Sequence, residues 1–154
     1  MARVPGPGHR RYHPRMPSSL SHVVVLTDDL EEVLRYLAEV AQIRGVLRYD
    51  TEPDEIHELF GWPLEHGRTS GAFVGEGPGA VDVLEIPDAL RGSVQPGLRL
   101  LAAVNRDVAA AGAAATAAGF AVRGPFHTTA ATGAAMSLVE VTAGGLPFEL
   151  VQFG

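Results

Sequence analysis

The chain has 154 residues, of which 46% are hydrophobic and 19% are charged, a composition typical of one globular domain with a sizeable core. It contains no cysteine, which excludes disulfides, thiolate metal sites and thiol nucleophiles. It also contains no lysine, which excludes Schiff-base catalysis and the lysine of a phosphate-binding loop. Chemistry is therefore left to histidine, carboxylates, arginine, tyrosine and the hydroxyl side chains.

The charge is unevenly distributed. Residues 1–20 hold four arginines and no acid, whereas residues 21–154 hold eight arginines and eighteen acids, a net charge of −10. An acidic body disfavours nucleic-acid binding and favours cationic or amine-bearing ligands through electrostatic steering. Segment 1–20, rich in proline and glycine, is expected to be a disordered basic tail. The longest weakly polar run, 108–122, is shorter than a membrane span, and we expect a cytoplasmic protein without membrane contact.

The first half of the body predicts one helix among several strands. The β-branched run Ser21–Thr27 is typical of a buried strand. Asp28, with Glu31 three residues later, predicts the start of a helix that ends by Gly45. A short strand, a helical turn and two further strands are then predicted over residues 46–49, 53–60, 69–74 and 80–86. The glycine-rich segment 75–79 is interpreted as a hairpin turn and not as a phosphate loop.

The second half repeats this order. A strand is predicted over residues 98–104, followed by a helix that Asn105 or Asp107 caps and Gly119 ends. Strands then follow over residues 120–123, 135–142 and 147–153. Each half therefore reads β-α-β-β-β, and segment 80–84 resembles segment 147–151. Such a repeat predicts two modules, residues 21–86 and 97–154, within a single domain over 21–154.

Three segments carry a resemblance to a known family. They are residues 22–32 (HVVVLTDDLEE), residues 60–63 with 67–73 (FGWP and GRTSGAF), and residues 145–153 (GLPFELVQF). Together they resemble the vicinal-oxygen-chelate superfamily, which includes glyoxalase I, methylmalonyl-CoA epimerase, extradiol dioxygenases and bleomycin-resistance proteins. The resemblance implies an α+β, glyoxalase-like fold in which two βαβββ modules form an incomplete barrel around a cleft, commonly in a homodimer.

The resemblance also implies positions for a site. In metal-dependent relatives, four ligands lie on the first and last strands of the two modules. His22 falls on the first of these positions and Glu149 on the last, and Asp82 matches Glu149 when the two end strands are aligned. Counting back from the end of the strand over 98–104 places Arg99 at the fourth position. Arginine stays protonated and has no acceptor, so it cannot be a metal ligand.

Three arrangements follow from Arg99 and stay open at this point. It forms a closed polar network with His22, Asp82 and Glu149 on the cleft floor, or it anchors an anionic or carbonyl-bearing ligand. Alternatively it points away, which leaves His22, Asp82 and Glu149 to hold zinc, nickel, manganese or iron. We expect no cofactor, with one divalent metal as the alternative.

Other candidate residues are aromatic. Some of these side chains are expected to form an apolar wall for a flat ligand: Tyr49, Phe60, Trp62, Phe73 and Phe126. His127 is expected to overhang the cleft from a loop. Two functions follow. The first is a metal-free protein that binds or sequesters an aromatic or antibiotic-like metabolite. The second is an isomerase, lyase or dioxygenase, metal-dependent or cofactor-free, with Glu149, His22 and Arg99 as catalytic residues.

Overall fold

The computed structural model describes residues 19–76 and 79–154, so almost all of the predicted tail lies outside the described residues. The first module comprises β1 (Ser19–Thr27), α1 (Leu30–Glu39), β2 (Val46–Thr51), α2 (Pro53–Phe60), β3 (Thr69–Val74) and β4 (Ala80–Glu85). The second module comprises β5 (Gly97–Val104), α3 (Val108–Ala117), β6 (Ala121–Thr129), β7 (Ala135–Ala143) and β8 (Leu146–Phe153). Two short 3-10 helices, Leu64–His66 and Asp88–Leu90, follow α2 and β4.

All eight strands form one curled sheet in the order β2-β3-β4-β1-β5-β8-β7-β6. The first strands of the two modules, β1 and β5, pair antiparallel at the centre. Each then pairs in parallel with the last strand of its own module, β1 with β4 and β5 with β8. The strand order reads the same from both edges, so the structure confirms the predicted repeat and joins both modules within one chain.

Helix α1 begins one residue later than the sequence predicted. Asp29, and not Asp28, is the N-cap, and its carboxylate accepts a hydrogen bond from the backbone N–H of Glu32 at 2.9 Å. The backbone N–H of Asp29 donates in turn to the hydroxyl of Thr27 at 3.1 Å. The helix ends at Glu39, before the predicted stop at Gly45, because the chain turns through Gln42 in the left-handed region.

The second module repeats this junction with different residues. The backbone N–H of Asp107 donates to Asn105 Oδ1 at 2.8 Å, and Asp107 Oδ1 accepts from the N–H of Ala110 at 2.9 Å. Asp107 follows Asp29 by 78 residues, and α1 and α3 are both ten residues long. This offset gives the structural equivalence between the two modules, residue by residue, along β1 and β5.

The sheet carries one apolar layer on each face. On the convex face, α1 packs through Leu30 and Leu34 on Ala72, Val74 and Val83. On the concave face, Ile56 of α2 and Trp62 pack with alternate residues of the central strands, among them Val24, Leu84 and Leu100. Along each strand, alternate side chains therefore lie on the convex face under the helices, and the others lie on the concave face that forms the cleft.

Strand β6 is longer than the sequence predicted. The sequence placed a strand over residues 120–123 and a loop at 126–129, but β6 continues to Thr129. A register shift between Arg123 and Phe126 interrupts its pairing with β7. Because of this bulge, Arg123 and Phe126 both lie on the concave face despite their odd spacing. Among the described residues, no helix is long and apolar enough to span a membrane.

Candidate functional site

The concave face of the sheet encloses a cavity of about 430 Å³. Its floor comes from β1, β4, β5 and β8, and its sides come from β2, β3, α2 and the β6–β7 hairpin. Most of the wall is apolar, with three acidic side chains and one histidine among it: Glu55, Asp82, Glu149 and His22. Asp50 also borders the cavity, but its side chain lies on the other face of β2, where it accepts a hydrogen bond from the Ser70 hydroxyl at 2.8 Å. Size and composition suit a small organic molecule.

Asp82 lies on β4 between Val81 and Val83, which face α1, so alternation turns its carboxylate into the cavity. The hydroxyl of Tyr49, on β2, donates a hydrogen bond to Asp82 Oδ1. Tyr49 reaches Asp82 by passing over Gly71, its cross-strand partner, where a side chain would collide with the tyrosine ring. Burial raises the pKa of Asp82 to about 6, although the Tyr49 hydrogen bond opposes the shift.

Glu149 lies on β8 in the same register row as Ala102 and Glu140. Burial raises its pKa to about 7, and the nearby carboxylates of Asp82 and Glu140 act in the same direction, while Arg99 opposes them. Within the described part of the chain, no side chain or backbone group hydrogen-bonds to the Glu149 carboxylate. Glu149 is therefore a cavity-facing acid to which the described residues give no hydrogen-bond partner.

His22 lies on β1 at the edge of the cavity floor. Its Nδ1 is 3.1 Å from the hydroxyl of Ser21, and its ring meets that of Phe73 edge to face at a centroid distance of 5.0 Å. Burial lowers the pKa of His22, so the imidazole is neutral near pH 7. His22, Asp82 and Glu149 thus reach the same cavity, as the sequence predicted.

The equivalence of the modules corrects the fourth position. Val24 pairs with Asp82 in the first module, and Ala102 pairs with Glu149 in the second. Val24 and Ala102 are again 78 residues apart. Asp82 and Glu149, their partners, are therefore equivalent. The residue equivalent to His22 is then Leu100 and not Arg99. Leu100 is buried on the cavity wall and has no donor atom for a metal. The count from strand ends was wrong by one residue.

Arg99 does not join Asp82 and Glu149 in the predicted network. It is the extra residue of a β-bulge in β5, between the pairs Val24–Leu100 and Val25–Leu98. Its guanidinium lies 3.5 Å from Glu140 Oε2 and 4.7 Å from the centre of the Phe60 ring. Arg99 is therefore on the concave side of the sheet, but it lies behind the cavity wall with Glu140 as its ion-pair partner.

The donor groups of the cavity do not meet the needs of a metal ion. Within residues 19–76 and 79–154, no group of three or more histidine and acidic side chains is arranged to hold one. Tyr49 engages Asp82, Ser21 engages His22, and Leu100 fills the fourth position. The residues present do not fit the four-ligand site that the resemblance implied.

The remaining predicted residues separate into two groups. Tyr49, Phe60 and Phe73 line the cavity. Trp62 lies instead in the concave core beside His66, and Phe126 lies under the guanidinium of Arg123, so neither forms the predicted wall. His127 is on strand β6, 3.0 Å from the Ser137 hydroxyl, and it borders a second, smaller cavity of about 330 Å³.

Three features of the site were missed by sequence reasoning. Glu55 of α2 and the hairpin segment 128–132 contribute to the cavity wall, and neither has a distinctive sequence pattern. Glu140 was also missed, although it leaves a signal. It lies directly opposite Glu149 across β7 and β8, and two facing acids require a nearby cation. Arg99 and Arg123 meet that requirement at 3.5 and 3.4 Å.

The curled sheet and its helices form the α+β fold of the vicinal-oxygen-chelate, glyoxalase-like proteins, which confirms the predicted fold class. A hypothetical protein of Bacillus halodurans C-125 has a TM-score of 0.66 at 14% identity, over 89% of this chain and 95% of that chain. Methylmalonyl-CoA epimerase from Mycobacterium tuberculosis has a TM-score of 0.59 at 17% identity, over 87% of each chain.

A third similar structure is a variant of Streptomyces coelicolor methylmalonyl-CoA epimerase in complex with 2-nitronate-propionyl-CoA. Its TM-score is 0.60 at 16% identity, over 88% of this chain and 96% of that chain. At these identities the likeness shows the fold alone. No protein-family model matches the sequence, and the comparison with curated proteins found no similar sequence.

Proposed function

We propose that this protein binds a small, largely apolar organic molecule in the concave cavity without the help of a metal ion. The observation that carries the proposal is the cavity itself, about 430 Å³ with mainly apolar walls and a few polar groups on its floor. Small-molecule sites have this size and this mixture of surfaces. Leu100 at the fourth ligand position supports a role that depends on the side chains alone.

Aromatic ligands are favoured by the cavity walls. Phe60 and Phe73 face the cavity from α2 and β3, and Leu84 and Leu100 form the floor between them. A flat ligand buries apolar area against these surfaces, which contributes about 25 cal/mol per Å² before the losses of association are subtracted. Binding or sequestration of an aromatic or antibiotic-like metabolite is the function that these features support best.

A matched pair of tryptophan substitutions tests this proposal. Leu47 of β2 lines the cavity, whereas its neighbour Val46 lies on the other face of the same strand. Tag-free protein treated with a chelator is screened by thermal shift against aromatic metabolites and antibiotics. Ligand at a hundredfold excess over its Kd adds about 2.7 kcal/mol of stability, which raises Tm measurably.

The expected result is that Leu47→Trp abolishes the Tm shift of the compounds that bind, because the new ring fills the cavity mouth. Val46→Trp should bind as the unmodified chain does. If no compound raises the Tm of the unmodified chain, or if Leu47→Trp binds with unchanged affinity, the proposal fails.

One observation favours a second function, a cofactor-free isomerase. Glu149, with a pKa of about 7, and Asp82, with a pKa of about 6, both titrate close to neutrality, where proton transfer by a general base is most effective. In that function Glu149 removes the proton from a carbon next to a carbonyl, and the electron pair of the C–H bond passes to the carbonyl oxygen. Arg99 lies outside the cavity wall and does not serve as the oxyanion partner there.

The two functions are separated by solvent exchange. Each compound that binds and carries a C–H next to a carbonyl is incubated with the protein in D₂O, and its deuterium content is followed by NMR. Exchange that disappears in Glu149→Gln while binding persists establishes the isomerase. Binding without exchange establishes the binding protein.

A further inference from the structure

We infer that the ligand carries a basic nitrogen and that its ammonium group binds between Glu149 and Asp82 on the cavity floor. The inference rests on the proposed binding function and specifies the chemical class of the ligand. It follows from the acidic side chains of the cavity.

Glu149 provides the first acceptor for the ammonium group. Its carboxylate lies on the cavity floor below the protein surface, and no group in the described part of the chain hydrogen-bonds to it. Burial of an ionised carboxylate without a partner is costly, and buried charges in proteins are normally paired. A ligand that donates charged N–H groups supplies the partner that the described residues do not.

Asp82 provides the second acceptor. Its only hydrogen bond among the described residues comes from the hydroxyl of Tyr49, which reaches Oδ1. A carboxylate accepts up to about four hydrogen bonds, so Asp82 has free lone pairs toward the cavity. Glu55 of α2 adds a third acid to the wall. Acids thus lie on the floor and on one side of the cavity.

No cationic side chain of the described residues enters the cavity beside these acids. Among the described residues, no arginine lines the cavity, and the only basic ring in its wall is that of His22. Arg99 and Arg123 lie on the concave side, but both are ion-paired with Glu140. Burial lowers the pKa of His22, so its imidazole stays neutral at pH 7.5. A cationic ligand is therefore complementary to the cavity, and an anionic ligand is repelled.

The charge and the apolar walls together define the ligand class. An ammonium group on the floor forms charge-assisted hydrogen bonds to Glu149 and Asp82. The remainder of the molecule lies against Phe60 and Phe73, which favour an aromatic or other apolar body. The structure thus fits an amine with a hydrophobic body and disfavours a carboxylate or a phosphate ester of the same size.

Three probes of equal size and different charge test the inference: 1-naphthylmethylamine, 1-naphthalenemethanol and 1-naphthoate. Their affinities are measured at pH 7.5 by calorimetric titration of the unmodified chain. The amine is expected to bind at least about tenfold more tightly than the alcohol, the ratio that one charge-assisted hydrogen bond supports. The naphthoate is expected to bind most weakly.

Variants assign the preference to the two carboxylates. Glu149→Gln and Asp82→Asn should each reduce the amine-to-alcohol ratio toward one, and an unchanged alcohol Kd shows that the cavity is intact. Glu39→Gln removes an exposed acid at the end of α1 and should leave the ratio unchanged.

Each outcome decides one of the two claims. Equal affinities for amine and alcohol, or a ratio that survives in both variants, overturn the inference and leave the proposed function standing. Failure of the amine to bind while neutral compounds of the screen do bind also overturns the inference alone. If neither the probes nor the screened compounds bind, the proposed function itself is overturned.

Discussion

At the scale of single residues, Gly71 is present because Tyr49 needs its space. A Cβ built at Gly71 would lie 2.6 Å from Cζ of Tyr49 and 2.8 Å from its hydroxyl oxygen. Since Tyr49 orients Asp82, the smallest residue of β3 fixes the geometry of a cavity acid on another strand. A glycine opposite an aromatic residue is thus part of the site, although it contacts no ligand.

The change Gly71→Ala should displace Tyr49 and break its hydrogen bond to Asp82. We expect a loss of about 1–3 kcal/mol in the free energy of unfolding, the usual effect of overpacking. Urea denaturation measures it. Gly79→Ala is the control, because no atom lies within 4 Å of a Cβ built there. Equal stability of both variants and the unmodified chain would refute this account of Tyr49.

Glu149 and Asp82 also make stability depend on pH. Burial raises their pKa values from 4.5 to about 7 and from 3.8 to about 6, so between pH 4 and 7 the folded chain holds more protons than the unfolded one. Their contribution to stability is therefore present below about pH 4 and is lost as pH rises toward 7. Glu149→Gln removes the part of this pH-dependent loss of stability that comes from Glu149.

We expect Glu149→Gln to be more stable than the unmodified chain at pH 8, by on the order of 1–3 kcal/mol, and to lose that advantage at pH 5. Urea denaturation at both pH values measures the difference. Glu39→Gln, in which an exposed acid is changed, should show no such dependence on pH. A destabilised Glu149→Gln variant at pH 8 would mean that Glu149 has a stabilising partner.

The family resemblance predicted part of the site. It implied ligand positions on the strands that begin and end each module, and aligning those strands then placed His22, Asp82 and Glu149 at three of them. Arg99 was misplaced because the count took Val104 as the equivalent of Thr27, whereas the offset of 78 residues makes Asn105 its equivalent. A one-residue error of this kind moves the counted position to the other face of the strand. The strand-to-helix caps at Asp29 and Asp107 give the correct alignment, and they lie outside the strand that was counted.

At the scale of elements, α2 is the helix that lines the cavity. Its last turn is held from the second module, where Arg123 donates to the carbonyl oxygens of Glu58 at 2.9 Å and Leu59 at 3.2 Å. The last carbonyl oxygens of a helix accept no hydrogen bond from an N–H group of the same helix, so the arginine serves as a C-terminal cap. Phe60 adds a stacking contact with Arg99.

Arg123→Gln should loosen α2 without unfolding the sheet. We expect backbone amides near the end of α2 to exchange with solvent roughly tenfold faster, since one or two hydrogen bonds to a charged group are lost. Hydrogen exchange followed by NMR measures it. Arg106→Gln, at an exposed position before α3, is the control. Unchanged protection of α2 in Arg123→Gln would show that apolar packing alone holds the helix.

Elements were predicted best where one periodicity dominates. Every strand except β6 came within two residues of its observed ends, because the apolar runs are bounded by turn residues. Strand β6 was cut short because Gly124 and Pro125 are typical of a strand end. The structure instead places them at a bulge inside the strand, where the pairing with β7 resumes at Phe126.

At the scale of the whole molecule, the predicted fold followed from the repeat, and the proposed function rests on the cavity that the two modules enclose. The β-α-β-β-β order of both halves predicted the two modules, and the fold class was confirmed. The repeat could not predict what lies between the modules. The hairpin segment 128–132 meets α2 across the cavity only because the sheet curls, and this curvature has no local sequence signal.

Charge also separates this chain from the epimerases that share its fold. Methylmalonyl-CoA carries a carboxylate and several phosphate groups, whereas the charged side chains that line this cavity are acids. We expect the chain to bring no deuterium from D₂O into methylmalonyl-CoA, as measured by mass spectrometry. Enzyme-dependent incorporation that Glu149→Gln abolishes would show that the acids do not exclude this substrate.

The central claim is that the cavity acts through its own side chains, with Leu100 where a fourth metal ligand would stand. The most direct measurement is elemental analysis of the tag-free protein after dialysis against zinc, nickel and manganese, with His22→Ala alongside. The account predicts well under one metal ion per chain, with no difference between the two proteins. About one ion per chain, lost in His22→Ala, would contradict it.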